Sequence, residues 1–154
     1  MTDTPTLYEW AGGSEAFHRL TTLFYGRVPD DPVLAPVFAH MDPSHPAHVA
    51  EWLIEVFGGP TAYTDERGGY PHMLAKHRDV GITPEQRRCW VGLMSEVADE
   101  AGLPDDPEFR SAFVAYLEWG TRLAMANSQP GATPPPRAPT PRWGWGEAPP
   151  YQPS

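Results

Sequence analysis

Apolar residues recur along most of this chain three and four positions apart, and Gly or Pro breaks the pattern at short intervals. A chain so written has neither the alternating nor the continuous apolar runs of a sheet, and it folds as helices of modest length packed on one another. Phe17, Leu20, Phe24 and Val28 share one face of the first clear helix, with Ser14 as its expected N-cap, Tyr25 at the edge of the face and Pro29 as the stop. Asp31-Pro32 opens a short helical turn running to Val37-Phe38. Met41-Asp42-Pro43-Ser44 starts the next helix, which Gly58-Gly59-Pro60 closes. On that helix His45, Val49, Trp52 and Val56 fall in one stripe, so a histidine shares a face with three large apolar groups. Residues 61 to 70 carry turn formers without an apolar period and are expected to be a loop. From Pro71 to Val80 a short helix aligns Met73, His77 and Val80. Thr83-Pro84-Glu85-Gln86 is a capping box that opens a long helix bearing Trp90, Leu93, Met94, Val97 and Ala101, and Gly102 ends it. Asp106 caps the last helix, whose stripe is Phe109, Phe113, Leu117, Thr121 and Ala124.

The pattern stops near Gln129, because nine of the 20 prolines fall within the last 26 residues. Two parts are therefore expected: an all-α domain over 1–128 and a Pro-rich, flexible, disordered tail over 129–154. The sticky groups of the tail are Trp143, Trp145 and Tyr151, which read either as a docking peptide or as a solvated appendage. Removing residues 129–154 is expected to leave the affinity for any bound cofactor unchanged. With 11 Lys+Arg against 20 Asp+Glu the net charge is -9, which opposes attraction to nucleic acid and anionic lipid. Arg137 and Arg142 against Glu147 give the tail +1, so the domain carries -10. No stretch reaches the roughly 18 apolar residues of a membrane span, and the first residues lack the pattern of a secretory signal. A cytoplasmic protein is expected, and the single Cys89 allows no internal disulfide.

The sharpest question is why Tyr25, His45, His77 and Trp90 turn inward. Each polar atom costs about 1 to 3 kcal/mol if it is buried without a partner. A haem slotted between helices is one answer, its iron taking a histidine nitrogen and its faces meeting Phe, Val, Trp and Met. Zinc fits less well: His45 and His48 are three apart, but His72 and His77 are five apart, and no cysteine or HExxH accompanies them. A plain bundle in which the four groups satisfy one another stays open beside the haem reading.

Residues 5 to 127 resemble the group II truncated haemoglobins. The resemblance is carried by YEWAGGSEAFHRLTTLFY, DDPVLAPVF, EWLIEVFGGPTAYTDERGGYP, HMLAKHRDVGITPEQRRCW and FRSAFVAYL. GGP followed by Tyr63 and Arg67-Gly68, then His77 thirteen residues before Trp90, is the specific combination. The resemblance implies a two-over-two helical sandwich around haem b, with a looped segment before the helix that ligates iron. It matches His77 to the proximal iron ligand, Phe38 to the aromatic on the haem face, and Tyr25 and Trp90 to the distal hydrogen-bonding pair. His45 stands where many members have a small residue, as a gate, a donor or a sixth ligand. Phe38 stands where some have tyrosine, so one donor is missing. Val49 and Trp52 are expected on the distal side, and Met73, Val80 and Ile82 on the proximal side. Tyr63, Arg67, Lys76 and Arg78 are the candidates for the propionates.

The function implied is reversible binding of O2, NO and CO, with O2 held by charge-assisted bonds from Tyr25, Trp90 and His45. NO dioxygenation or peroxidase-like chemistry is also implied. It would draw electrons from an external reductase, since no GxGxxG nucleotide motif is present. The competing expectation is a cofactor-free helical interaction module that presents its Pro-rich tail to a partner.

Overall fold

A computed structural model describes residues 4–134 and 138–149. Arg137 and Tyr151, two of the tail residues singled out above, lie outside them. Among the described residues there are seven α-helices and no strand: α1 (Leu7–Ala11), α2 (Ser14–Arg27), α3 (His45–Val56), α4 (Ala62–Arg67), α5 (Gly69–His77), α6 (Pro84–Glu100) and α7 (Pro107–Asn127). A 3₁₀ turn at Val28–Asp30 follows α2.

Helix starts follow their local chemistry. In α1 and α6 a threonine and the residue three further on exchange bonds: Thr6 with Glu9, and Thr83 with Gln86. Asp106 accepts from the Phe109 amide at the start of α7 and takes the Trp10 indole N–H on its other oxygen, both at 2.9 Å. Ser14 is the first helical residue of α2 instead of its cap, and its hydroxyl bonds Tyr8 at 2.8 Å.

Two pairs of helices make the sandwich. α2 packs along α3 and α6 along α7, α2 crosses α6, and α5 lies against α7. The shared interior is built from Phe17, Leu20 and Phe24 of α2, Leu53 and Val56 of α3, Met94 and Val97 of α6, and Phe109, Phe113 and Leu117 of α7. Each such side chain contributes roughly 1.5 to 3 kcal/mol on burial. Two charged pairs join α6 to α7: buried Arg87 donates to Glu118 at 3.0 Å, and Arg110 donates to Asp99 at 2.6 Å.

Three local expectations are corrected. Residues 32–40 are a series of consecutive turns rather than one short helical turn, with Ala35 and Phe38 donating to the carbonyls four residues back; the Asp31 carboxylate takes the amides of Val33 and Leu34, and Leu34 is buried. The expected loop at 61–70 contains α4 and the start of α5, separated by Gly68 (φ 95°) and Gly69 (φ 66°), both in the left-handed region that favours glycine. The tail is not free over its described part. Trp143 donates its indole N–H to the Ala112 carbonyl at 3.0 Å, and Trp145 donates to that of Pro5 at 2.7 Å. The stretch has no apolar period, but two large rings with one N–H each suffice to dock it. No helix of the described residues is long and apolar enough to cross a membrane.

Candidate functional site

The two ring groups that matter most stand at helix ends. His45 is the first residue of α3, and His77 is the last of α5. His45 Nε2 and the Tyr25 hydroxyl share a hydrogen bond of 3.0 Å, and their rings meet edge to face at 5.0 Å. Phe38 closes the group, 5.5 Å from the Tyr25 ring and 5.9 Å from His45. Trp90 of α6 lies tilted against Phe24 at 5.3 Å, and the Phe24 ring is edge-on to Tyr25 at 4.8 Å. Burial pushes the Tyr25 phenol well above its ordinary value, and the neighbouring Trp90 indole partly offsets this. Tyr25 therefore keeps its proton at neutral pH and is a donor. Burial holds His45 below its ordinary value, helped by the positive charges of Lys76 and His48. Val49, one turn along α3, is partly buried.

His77 is oriented by its own helix. Its Nδ1 lies 2.8 Å from the Met73 carbonyl, which can only accept, so the proton is on Nδ1. Nε2 then carries a lone pair, and burial depresses the ring below its ordinary value, keeping it neutral. A neutral imidazole held by a carbonyl behind it is the form that ligates a metal. A small cavity of about 40 Å³ lies beside it, lined by Tyr70, Met73, Leu74, His77, Leu123, Ala124 and Asn127. Ile82 is fixed nearby in the chain, its amide donating to Ser128 Oγ at 3.0 Å.

Not every expected lining residue joins these groups. Trp52 is turned into the interior, where its N–H bonds the Tyr116 hydroxyl at 2.8 Å and its ring stands edge-on to Tyr63 at 5.1 Å. The Tyr116 acceptor on α7 thus takes up the indole N–H. Tyr63 is buried, and burial pushes its phenol up to about 12. Arg67 donates to Glu51 at 2.6 Å, so part of its fork is engaged within the protein. Lys76 and Arg78 are exposed. Val80 lies beyond the end of α5, after Asp79 at φ 60°, and is 51% exposed, so it does not continue the Met73–His77 face. Cys89 is half-buried rather than fully enclosed.

The sequence reading missed Tyr116, Glu51 and the cavity residues Tyr70 and Leu123. Tyr116 lies seven residues after Phe109 and one before Leu117, so its place on the α7 face was readable. The Glu51–Arg67 pairing joins different helices and has no local signal.

The donor set suits a haem. It offers a lone pair on a neutral, oriented imidazole, a protonated phenol and an imidazole grouped at the start of α3, and apolar groups such as Val49, Met73 and Ile82 that the protein only partly covers. A family model described as bacterial-like globin matches residues 6–120. The chain belongs to the bacterial-like globins. It is 32% identical over 110 residues to the group 2 truncated hemoglobin YjbI of Bacillus subtilis, a match covering 71% of this chain and 81% of that protein. Among solved structures, the hemoglobin of the thermophilic phototrophic bacterium Chloroflexus aurantiacus gives a TM-score of 0.69 at 34% identity, covering 79% of this chain and 98% of that one. The truncated oxygen-avid haemoglobin from Bacillus subtilis gives 0.69 at 30% identity, covering 78% and 98%. This globin is of the group II truncated type, takes haem as its cofactor and binds small diatomic ligands such as O2. The reading as a cofactor-free interaction module gives way to that membership.

Proposed function

We propose that this globin holds haem through His77 and retains O2 by hydrogen bonds from Tyr25 and Trp90, with His45 setting the direction of the Tyr25 hydroxyl. When bound, haem supplies an iron that takes a diatomic ligand and places negative charge on it. His77 is neutral and aimed by the Met73 carbonyl, the single observation that carries the assignment. Tyr25 is a protonated phenol 3.0 Å from His45. If Nε2 of His45 carries the proton it donates to the phenol oxygen, and the Tyr25 O–H is left to point at a ligand. The opposite tautomer turns the phenol toward His45. The pair is thus a donor whose direction His45 sets.

Each charge-assisted bond is worth roughly 1.5 to 3 kcal/mol, so two slow ligand release by orders of magnitude. Slow release suits chemistry on the retained ligand better than bulk carriage. NO dioxygenation and peroxide turnover, with electrons from a separate reductase, are the reactions this retention serves. NO and CO are further ligands of the same site. Val49 and Phe38 shape its distal side. Met73 and Ile82 pack its proximal side, and Tyr63, Lys76, Arg78 and the free edge of Arg67 are the groups offered to the propionates. The test is the ultraviolet-visible spectrum of the purified protein given hemin. Wild type is expected to show a sharp Soret band that His77→Ala loses or shifts strongly, and an identical spectrum in the variant removes His77 as the ligand.

A further inference from the structure

The described tail leaves one problem that the haem site does not absorb: why a stretch outside the globin helices is fixed by so many specific contacts. At the end of α3 the last carbonyls have no partner within the helix. Gly59 takes that of Ile54 at 2.8 Å, and Trp143 takes that of Val56 with its backbone N–H at 2.7 Å. Arg142 donates to the Glu55 carbonyl at 3.3 Å. The tail therefore completes a helix end inside the protein.

From there two lines of contact run to the same place. The Trp143 ring stands edge-on to Tyr116 at 5.5 Å, Tyr116 accepts from Trp52 at 2.8 Å, and Trp52 stands edge-on to Tyr63 at 5.1 Å. Thr140 bonds Thr64 hydroxyl to hydroxyl at 2.9 Å, and Thr64 in turn donates its amide at 2.9 Å and its hydroxyl to the carboxylate of Glu55, itself 2% exposed. Tyr63 and Thr64 are adjacent residues of α4. A helix of six residues has no stability of its own and takes its position from what holds it. α4 is joined through Gly68 and Gly69 to α5, which carries His77.

We propose that residues 138–145 act as a strap and that Trp143 is a positioning residue. Through Tyr116 and Trp52 it fixes Tyr63 of α4 at the haem edge, and so slows loss of the cofactor. The proposal rests on the haem reading given above and adds to it a role for the tail, against the expectation that removing the tail leaves cofactor affinity unchanged.

The test uses full-length protein loaded with hemin and follows transfer of hemin to excess apomyoglobin by the Soret band. Trp143→Ala is expected to lose hemin roughly three- to tenfold faster, the range carried by an edge-on aromatic pair and one hydrogen bond. Trp143→Phe, which keeps a ring against Tyr116 but loses the indole bond to Ala112, is expected to fall between wild type and Trp143→Ala. Trp143→Leu repeats the test should the alanine variant not fold. Positioning is separated from general stabilisation by Tyr63→Phe. In that background Trp143→Ala is expected to add little, whereas factors that simply multiply overturn the positioning role. Unchanged hemin loss in both the alanine and leucine variants also overturns it. A wild-type protein that takes up no hemin overturns the haem reading together with the strap, whereas hemin loss that ignores Trp143 in a protein ligated by His77 overturns the strap alone.

Discussion

Tyr25 has its phenol between an imidazole that bonds it at 3.0 Å and an indole that lowers the cost of its burial. Removing that one oxygen in Tyr25→Phe keeps the ring contacts with Phe24 and Phe38 and deletes a donor. O2 release followed by stopped-flow is expected to quicken by about ten- to a hundredfold, the kinetic equivalent of one charge-assisted bond. No change in the rate would take Tyr25 out of the distal set. At this scale much was legible in advance. Tyr25, His45 and Phe38 come together as the sequence suggests, because an inward histidine at a helix start and an aromatic at a stripe edge have few other places to go. What was not legible is which inward aromatic belongs to which neighbour. Trp52 shares the stripe of His45 and yet serves Tyr116, since the deciding acceptor lies 64 residues further along.

Elements were readable in proportion to their length. α6 and α7 contain several turns of apolar period and a cap each, and both lie where those signals put them. α4 has too few residues to display a period, so its residues look like a loop until Gly68 ends it by donating to the Thr64 and Tyr63 carbonyls. α1 is as short, but its Thr6–Glu9 box was available as a signal. The turn after α3 is a close junction between elements. A β-carbon on Gly59 would come within 2.7 Å of Tyr8, 2.8 Å of the Ile54 side chain and 2.9 Å of the Ile54 carbonyl. Gly59→Ala is therefore expected to cost about 1 to 3 kcal/mol through overpacking, measured by urea unfolding. A cost within a few tenths of a kcal/mol would show that α1 and α3 can separate freely there.

For the molecule as a whole, His45 makes stability depend on pH on the acid side. Burial, Lys76, His48 and His77 hold His45 below its ordinary 6.5, against a smaller opposing pull from Asp42. Unfolding returns it to the ordinary value. Below about pH 6.5 the unfolded chain then binds more protons than the folded one, so stability falls as pH drops through that window and is indifferent to this group above it. The urea midpoint of the haem-free protein is expected to fall between about pH 7.5 and about pH 5.5, and to fall less in His45→Gln. Equal falls in both proteins would assign the acid sensitivity to other groups. The docking of the tail is the whole-molecule feature that the sequence concealed, since proline content reports on backbone stiffness while Trp143 and Trp145 decide where the stiff chain rests.

The joint at Gly68 and Gly69 sets how such a chain can drift over generations. Glu66 faces water and is free to vary, but nearly any replacement at the two glycines would strain the joint and pull on the imidazole at the far end of α5. Descendants of this sequence should thus accumulate change on both sides of the pair while leaving the pair itself alone.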